Sequence, residues 1–308
     1  MLTYFIRRVF TAILTLIIAA FAVSMLIYLV PGDPVDAMMG DSSSFVSPER
    51  VEEIRSQLGL DKPVYLQFPF FMANVLRGDM GRTIFGNEPV LPLLLSKLPN
   101  TLILAFAGLA VAILIGVPLG YIAAYQKGKF LDSILMLGAT LGISMPVFWL
   151  GLMLLVLFSM MLGIFPVAGS GFGSLVLPAF TSGVIAAATI ARMARSTMVE
   201  ILQEDYIRSA RAKGLSERIV LMRHAVKPSL VGVVGMIAHM FTWMLGGQII
   251  IENVFAWDGL GQLAVSALLN REYNLIQGYI LIYSTMVVTI SVVLDLIYAG
   301  LDPRIRYE

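Results

Sequence analysis

Few residues in this chain have a type and spacing that would support catalysis. Gly142-Ile143-Ser144 lies in one apolar segment and His239 in another, so a serine nucleophile and a histidine base raise the hypothesis of intramembrane proteolysis. However, Met145-Pro146 follows the serine, and no second feature supports activation of a nucleophile. The proline predicts a kink, with the hydroxyl of Ser144 or Thr140 bonding to the backbone groups that it frees.

Phosphate and metal chemistry is equally poorly supported. A phosphate-binding loop needs Gly-x-x-x-x-Gly-Lys-Ser/Thr, but the only Gly-Lys pair, Gly128-Lys129, is followed by Phe130, and position 123 is alanine. The chain has no cysteine and only two histidines, which excludes thiolate sites and leaves too few ligands for a histidine-based metal site. We therefore expect no catalytic residue, no metal and no cofactor in this chain.

The composition is that of a membrane protein. Hydrophobic residues make up 58% of the chain and charged residues 13%, and the mean hydropathy is +0.86. Soluble domains carry charge on about a quarter of their residues, so most of this chain must face lipid or other buried helices. The net charge of +1 gives no reason to expect nucleic acid as a partner.

Six apolar segments are long enough to cross a bilayer as helices, which need about 20 residues each. The sequence therefore predicts an all-α membrane protein with six transmembrane helices. The predicted spans are Val9–Val30, Thr101–Tyr125, Ile134–Met160, Leu175–Arg192, Leu230–Ile251 and Gly278–Leu301.

The placement of basic residues predicts the orientation. If the N-terminus is cytoplasmic, the inner segments hold twice as many lysine and arginine residues as the outer segments, as the positive-inside rule requires. Both termini are then cytoplasmic. This orientation divides the chain into the cytoplasmic N-terminus and first span (1–30), an extracytoplasmic subdomain (31–100) and a five-helix core (101–308) that includes a cytoplasmic loop (193–229).

The external segment contains signals for a capped helix. Ser47 is a candidate N-cap, Pro48 suits the first helical position, and Gly59 follows the predicted end. Downstream apolar residues predict a small packed subdomain, either self-contained or lying on the membrane surface. They are Val64, Tyr65, Leu66, Phe68, Phe70 and Phe71.

The cytoplasmic loop predicts helical pieces with one break. Asp205 is the candidate N-cap of a helix ending at Lys213, Gly214 suits left-handed backbone geometry, and Ser216 is positioned to cap the next helix. Tyr206, Ala210 and Lys213 have the spacing of one helix face. From composition alone, a docking helix and a merely solvated basic loop are equally favoured.

The order of residues in this loop decides between these two interpretations. The loop resembles the segment with which permeases of ATP-binding-cassette importers engage their ATPase, in the form found in the oligopeptide, dipeptide and nickel permease family. The resemblance rests on Asp205-Tyr206-Ile207-Arg208-Ser209-Ala210-Arg211-Ala212-Lys213-Gly214-Leu215-Ser216, followed by Arg223-His224-Ala225.

Further landmarks of the same family follow in order along the chain. They are Pro31-Gly32-Asp33-Pro34, Gln57-Leu58-Gly59-Leu60-Asp61-Lys62-Pro63, Arg77-Gly78-Asp79-Met80-Gly81, Leu98-Pro99-Asn100-Thr101, Glu252-Asn253-Val254-Phe255, Trp257-Asp258-Gly259-Leu260-Gly261 and Asp302-Pro303-Arg304-Ile305-Arg306.

The resemblance implies a permease subunit in a bacterial inner membrane that moves cargo by alternating access. It further implies a second homologous permease, two ATPase subunits that carry ATP and magnesium, an extracytoplasmic substrate-binding protein and surrounding lipid. The residues expected to engage the ATPase are Asp205, Tyr206, Ile207, Arg208, Ala210, Ala212, Lys213 and Gly214. One departure is Arg208-Ser209-Ala210, where many importers of other branches have Glu-Ala-Ala.

The cargo and its path remain open. Relatives with this outline carry dipeptides, oligopeptides, nickel chelates or glutathione-like solutes. Polar residues within the spans are candidates for the translocation path, namely Thr140, Ser144, His239, Gln248 and Ser284. An ion-driven secondary transporter is the alternative, although only His239 and Asp295 are ionisable within the predicted spans.

Overall fold

The computed structural model describes residues 2–25, 48–57, 61–84, 86–169 and 171–301. Within these ranges the backbone is helical except for connecting turns and one isolated bridge between Arg82 and Pro89. The prediction of an all-α protein is confirmed. The helices are α1 Leu2–Met25, α2 Pro48–Gln57, α3 Val64–Leu76, α4 Val90–Tyr125, α5 Phe130–Ser144, α6 Val147–Leu154, α7 Phe172–Ile201, α8 Asp205–Ala212, α9 Glu217–Ile219, α10 Val226–Val254, α11 Leu260–Leu269 and α12 Tyr273–Leu301, with π-helical segments at Leu155–Met161 and Val220–Ala225.

Five stretches of the described chain are long and apolar enough to cross a membrane, and a bent pair of helices makes a possible sixth. Each predicted span coincides with one of these elements where the structure describes it. The five are Ile6–Met25, Val90–Tyr125, Phe172–Ile201, Glu217–Val254 and Tyr273–Ile297, and the bent pair is Phe130–Ser144 with Val147–Met161.

The bent pair corrects the third predicted span, Ile134–Met160, which is not one continuous helix. Its two parts meet at an angle of 103°. Pro146 has no N–H to donate and disfavours helical geometry in the residue before it, and both Met145 and Pro146 have extended backbone, with ψ of 131° and 132°. The kink predicted at Pro146 is therefore a complete break.

The hydroxyls near this break bond within α5. Thr140 Oγ1 donates to the carbonyl of Met136 and Ser144 Oγ to that of Thr140, each at 2.9 Å. The carbonyl left without its usual donor by Pro146 is that of Gly142, four residues earlier, so the expected role of these hydroxyls is wrong in detail. They add a second donor to carbonyls that already lie inside the helix.

The chain divides into two compact units, and the first comprises Met1–Thr101 and Asp258–Val292. Helix α2 begins at Pro48 as predicted, while Ser47 and Gly59 lie outside the described residues. Among the residues predicted to pack with one another or on the membrane surface, Phe68 of α3 instead meets Phe21 of α1 edge to face, with ring centroids 5.3 Å apart. Tyr65 on the same helix is exposed.

Two sequence landmarks meet inside the first unit. Lys97 Nζ lies 2.7 Å from the carboxylate of Asp258, and Asn100 Nδ2 donates to the Asp258 carbonyl at 2.7 Å. The backbone N–H of Leu260 donates to Thr101 Oγ1 at 2.8 Å, and both residues are buried. Residues 97–101 of α4 are thus hydrogen-bonded to the turn that leads into α11.

The second unit comprises Leu102–Trp257 and Val293–Glu308, and its core is built on small residues. A Cβ on Gly116 of α4 would lie 2.6 Å from the carbonyl oxygen of Ala187 of α7, and one on Gly183 would lie 2.6 Å from that of Gly108. Helices in lipid gain most of their association from such close backbone approach, because lipid tails are as apolar as leucine side chains. Gly183, which lies in the fourth predicted span, therefore allows α7 to pack closely against α4.

This packing predicts different effects for the same substitution at two glycines. Gly116→Ala should destabilise the second unit by about 1–3 kcal/mol, because the new methyl group meets a backbone carbonyl that cannot turn away. Gly138→Ala on α5 is the control, since its Cβ meets nothing within 4 Å. It should be neutral or stabilising by up to about 1 kcal/mol through helix propensity. Thermal unfolding of the two variants in detergent tests this, and equal stability would contradict it.

Candidate functional site

The loop between α7 and α10 contains the predicted short helix, α8, which we call the loop helix. It ends at Ala212, and Gly214 follows with φ of +81°, so the left-handed geometry expected there is confirmed. The predicted start is wrong by one residue, because Glu204 holds the N-cap position with ψ of 146° and Asp205 is the first helical residue. A carboxylate in the first turn is still favourable to the helix dipole.

Two residues fasten the loop helix to the transmembrane helices. The side chains of Ile207 and Ala210 are buried, Ile207 completely. They belong to an apolar cluster, here called the seat, that also includes Ala124 of α4, Met198 of α7, and Val220 and Ala225 of the second π-helical segment. Full burial of one isoleucine contributes about 1.5–3 kcal/mol, so the seat holds this short helix in a fixed orientation.

The opposite face of the loop helix is exposed. This corrects the expectation that Tyr206, Ala210 and Lys213 share a presented face, because Ala210 points into the seat. Six of the eight predicted docking residues are exposed, namely Asp205, Tyr206, Arg208, Ala212, Lys213 and Gly214. The only side-chain contact recorded between two of them is an ion pair of Arg208 and Asp205 at 3.4 Å, which is too exposed to contribute much stability.

Tyr206 lies at the edge of this face with about half of its side chain accessible. Desolvation raises its pKa above the ordinary value for tyrosine, and the negative charge of Glu204 raises it further. The phenol therefore stays protonated at physiological pH and remains able to donate a hydrogen bond.

A bidentate ion pair that the sequence analysis missed closes the turn around Gly214. Arg211 Nη2 and Nε donate to the two carboxylate oxygens of Glu217 at 2.7 and 3.1 Å. The hydrogen bonds to Glu217 raise the pKa of Arg211 above its already high value. The sequence signal available for this pair was an arginine and a glutamate on either side of the turn glycine Gly214. The pair holds α9 at a fixed angle to the loop helix.

The loop continues into the fifth span without a break. Ser216 occupies the predicted cap position before Glu217, and α9 passes directly into the π-helical segment Val220–Ala225 and then α10. The hydroxyls of Ser229 on α10 and Tyr121 on α4 lie 2.9 Å apart. Continuous helix thus runs from Glu217 to the end of α10, and the seat joins the loop helix to α4, to α7 and to the π-helical segment that leads into α10.

A second ion pair missed by the sequence analysis lies beyond the seat. Arg195 of α7 donates from Nε and Nη2 to the two carboxylate oxygens of Asp132 of α5, at 2.6 and 2.7 Å. Asp132 is 4% exposed and also accepts the backbone N–H of Gly128 at 3.0 Å. Asp132, an acidic residue at the start of an apolar segment, was a sequence signal for such a pair. Its partner Arg195, however, lies 63 positions away in the sequence.

The five candidates for the translocation path differ in burial. Thr140, Ser144 and His239 are exposed, Gln248 is buried, and Ser284 on α12 is half-buried. On α10 the separation of nine positions from His239 to Gln248 corresponds to two and a half turns, so these two side chains lie on opposite faces. The hydroxyl of Ser144 donates to Thr140, and the structure records no hydrogen bond between Ser144 and His239. The geometry thus gives the proteolytic hypothesis no support.

Comparison with known proteins gives two family matches that together cover nearly the whole chain. Residues 116–307 match the family described as "Binding-protein-dependent transport system inner membrane component". Residues 1–105 match the family described as "Binding-prot-dependent transport system membrane comp, N-term".

Individual relatives extend over full length. The chain is 39% identical over 312 residues to a provisionally named peptide transport system permease protein of Brucella abortus (strain 2308), covering 98% of both chains. It is 38% identical over 309 residues to the glutathione transport system permease protein GsiC of Escherichia coli (strain K12), covering 100% of both. Among solved structures, an inward-facing MetNI methionine ABC transporter chain is similar in fold, with a TM-score of 0.61 and 20% identity over 70% of this chain and 99% of that one.

Gln248 generates a prediction about stability. It is 1% exposed, and neither its side-chain oxygen nor its nitrogen has a hydrogen-bond partner in the described structure. A buried polar group left unsatisfied costs about 1–3 kcal/mol, so Gln248→Met should raise the unfolding temperature in detergent by a few degrees. Thr181→Val is the control, because the Thr181 hydroxyl already donates to Leu177 at 2.8 Å, and it should bring no gain.

The same variant tests whether Gln248 meets cargo in another conformation. If it does, Gln248→Met should reduce uptake even though it stabilises the fold. Unchanged uptake in the stabilised variant would remove Gln248 from the translocation path.

Proposed function

Because the chain belongs to the family of binding-protein-dependent transport system inner membrane components, we propose that its loop helix is the element through which a separate ATPase drives transport. The chain is a multi-pass permease subunit of an ATP-binding-cassette importer in the inner membrane. In this family the ATPase is a separate subunit. What is proposed here is where that subunit docks, how its work reaches the spans, and which cargo is moved.

One observation carries the docking proposal: the loop helix is buried on one side and exposed on the other. Ile207 and Ala210 fix it in the seat, while Arg208, Ala212 and Lys213 face outward. A docking element must be rigid, because a flexible loop would absorb a displacement that a fixed helix transmits. The Arg211–Glu217 pair adds to this rigidity at the far end of the helix.

The chemistry of the exposed face favours an acidic partner surface. Arg208 and Lys213 project from the loop helix, and Arg218, Arg223 and Lys227 are exposed in the segment that follows. We expect the ATPase to present carboxylates to these cations around a cleft that receives the helix. Charge pairs of this kind contribute mainly to the rate of association and to the choice of partner.

Alternating access would use the contacts of the loop helix. Closure of two ATPase subunits on ATP would shift the loop helix relative to α4, and the seat would pass that shift to α7 and, through the π-helical segment, to α10. ATP and magnesium would be held by the ATPase pair, since this chain lacks a phosphate-binding loop. The loop helix and both termini would then lie on the cytoplasmic side, as the distribution of basic residues predicts.

The proposed cargo is a peptide or a peptide-like solute such as glutathione. Support comes from full-length relatives that are named as peptide and glutathione transport permeases. A second homologous permease would complete the pathway, and an extracytoplasmic binding protein would deliver the cargo, with residues 31–100 as part of its docking surface.

Reconstitution tests this function directly. Proteoliposomes that contain this chain, its partner permease and the ATPases should take up a labelled dipeptide, a labelled oligopeptide or glutathione when ATP and the binding protein are supplied. Uptake driven by a proton or sodium gradient without ATPase would favour the ion-driven alternative instead. Hydrolysis of ATP by this chain alone would contradict the proposal that the ATPase pair holds and hydrolyses ATP.

Gly214 provides a sharper test of the loop helix. Its φ of +81° disfavours any side chain, most strongly a β-branched one, whereas a Cβ at this position would meet nothing within 4 Å. Gly214→Val should therefore strain the backbone of the loop and lower ATP-driven uptake. Each 1.4 kcal/mol of strain in the docked state should lower uptake by about tenfold. Gly214→Asn is the matched control, because asparagine tolerates this conformation and should retain most of the activity.

Co-purification of the ATPase with each Gly214 variant shows where any loss arises. The valine variant should insert in the membrane at normal levels but retain less ATPase. Equal uptake by the valine and asparagine variants would show that the backbone geometry at Gly214 is not needed for coupling.

A further inference from the structure

We propose that the ion pair of Asp132 and Arg195 makes α5 move with the end of α7 on which the loop helix is seated. The two residues are positioning residues, because they act on a helix rather than on cargo or nucleotide. The inference rests on the proposed function of the loop helix. It extends that function to α5, the first helix of the bent span, which contributes no residue to the seat.

The position of the pair along α7 is the first support. Met198, one turn beyond Arg195, belongs to the seat and packs with Ile207 of the loop helix. A residue on a helix lies about 1.5 Å along the axis from its neighbour, so Arg195 and Met198 are only about 4.5 Å apart in height. A shift of the seat therefore reaches Arg195 through less than one turn of rigid helix.

The geometry of the pair is the second support. Both bonds between the guanidinium and the carboxylate are short, at 2.6 and 2.7 Å, and the bidentate arrangement fixes direction as well as distance. The backbone N–H of Gly128 donates to Asp132 at 3.0 Å, so the carboxylate also holds the turn that precedes α5. Asp132 is buried, whereas the side chain of Arg195 is 28% exposed, so the pair is open to solvent only from the arginine side.

The apolar character of the other α5 contacts is the third support. Apart from Asp132, only Ala139 is buried among its 15 residues. The middle of α5 meets α7 through small residues, since a Cβ on Gly142 would lie 3.4 Å from the Cβ of Ala188, whereas one on Gly138 would meet no atom. Among these contacts, the ion pair at the first turn is the one that is charged and directional.

The break after Ser144 completes the mechanical picture. Extended backbone at Met145 and Pro146 separates α5 from α6, so α5 is able to change direction without carrying α6 with it. The ion pair then fixes the first turn of α5, and the break separates its last turn from α6.

The test uses the complete importer and distances measured with spin labels. The chain has no cysteine, so labelling cysteines placed at exposed positions are unique within it, and any cysteines of the other subunits are replaced beforehand. Leu114 on α4 serves as the reference, Ser209 reports on the loop helix and Leu137 reports on α5. In the unmodified complex, ATP binding should change both the Leu114–Ser209 and the Leu114–Leu137 distances.

The principal variant removes both charges at once, as Asp132→Asn with Arg195→Met. Removing both leaves no uncompensated buried charge, and the asparagine oxygen still accepts from Gly128. In this variant the Leu114–Ser209 distance should still respond to ATP, whereas the Leu114–Leu137 distance should not. Cargo transported per ATP hydrolysed should fall by roughly two- to thirtyfold, while ATPase binding is retained.

Two further variants separate positioning from folding. Arg195→Lys keeps the charge but replaces the bidentate contact with a single point of contact, so it should retain part of the α5 response. Arg192→Met removes an exposed guanidinium one turn earlier on the same helix and should behave as the unmodified protein.

The outcomes are distinguishable. If both distances still respond in the double variant, or if both responses are lost together, the pair does not transmit the movement and the inference is wrong. If the Leu114–Ser209 distance of the unmodified complex does not respond to ATP, the proposed function of the loop helix fails instead.

Discussion

A hydrocarbon interior offers no hydrogen bond to the peptide group, and this constraint governs most of the structure. Every backbone N–H and C=O in the spans must find its partner inside the chain, so the apolar segments are helical. Where Pro146 removes a donor, the span breaks by 103° rather than leaving the helix intact. Association of the helices then depends on close contact, because burial of apolar surface brings little advantage in lipid. Gly116 and Gly183 provide that contact in the second unit.

The loop helix shows a different balance of forces, because it lies outside the spans. Eight residues are too few for a stable isolated helix in water, so its stability must come from tertiary packing. Ile207 and Ala210 supply that packing in the seat. The same burial leaves the cationic side free for a partner. A single face of hydrophobic contact therefore determines both the stability of the helix and the direction in which it presents its charges.

Three side-chain contacts between different segments of the second unit lie near the seat. They are the Asp132–Arg195 pair, the Tyr121–Ser229 contact and the Arg211–Glu217 pair. Farther along α10, three residues before the end of the predicted fifth span, the carboxamide of Gln248 is buried without a partner. The proposed roles of the loop helix and of the Asp132–Arg195 pair both depend on the contacts near the seat.

The sequence alone determined the all-α class, the positions of the spans, the break at Gly214 and the family resemblance. Each of these depends on local composition, on φ preference or on the order of residues along the chain. The third span lies between the two cases, because Pro146 predicts a kink locally but the structure shows a complete break of 103°. Tertiary structure alone decided that Ala210 faces inward, that Gln248 is buried while His239 is exposed, and that Asp132 meets Arg195. Those facts depend on which helix lies beside which, and residues 63 positions apart carry no local signal of their contact.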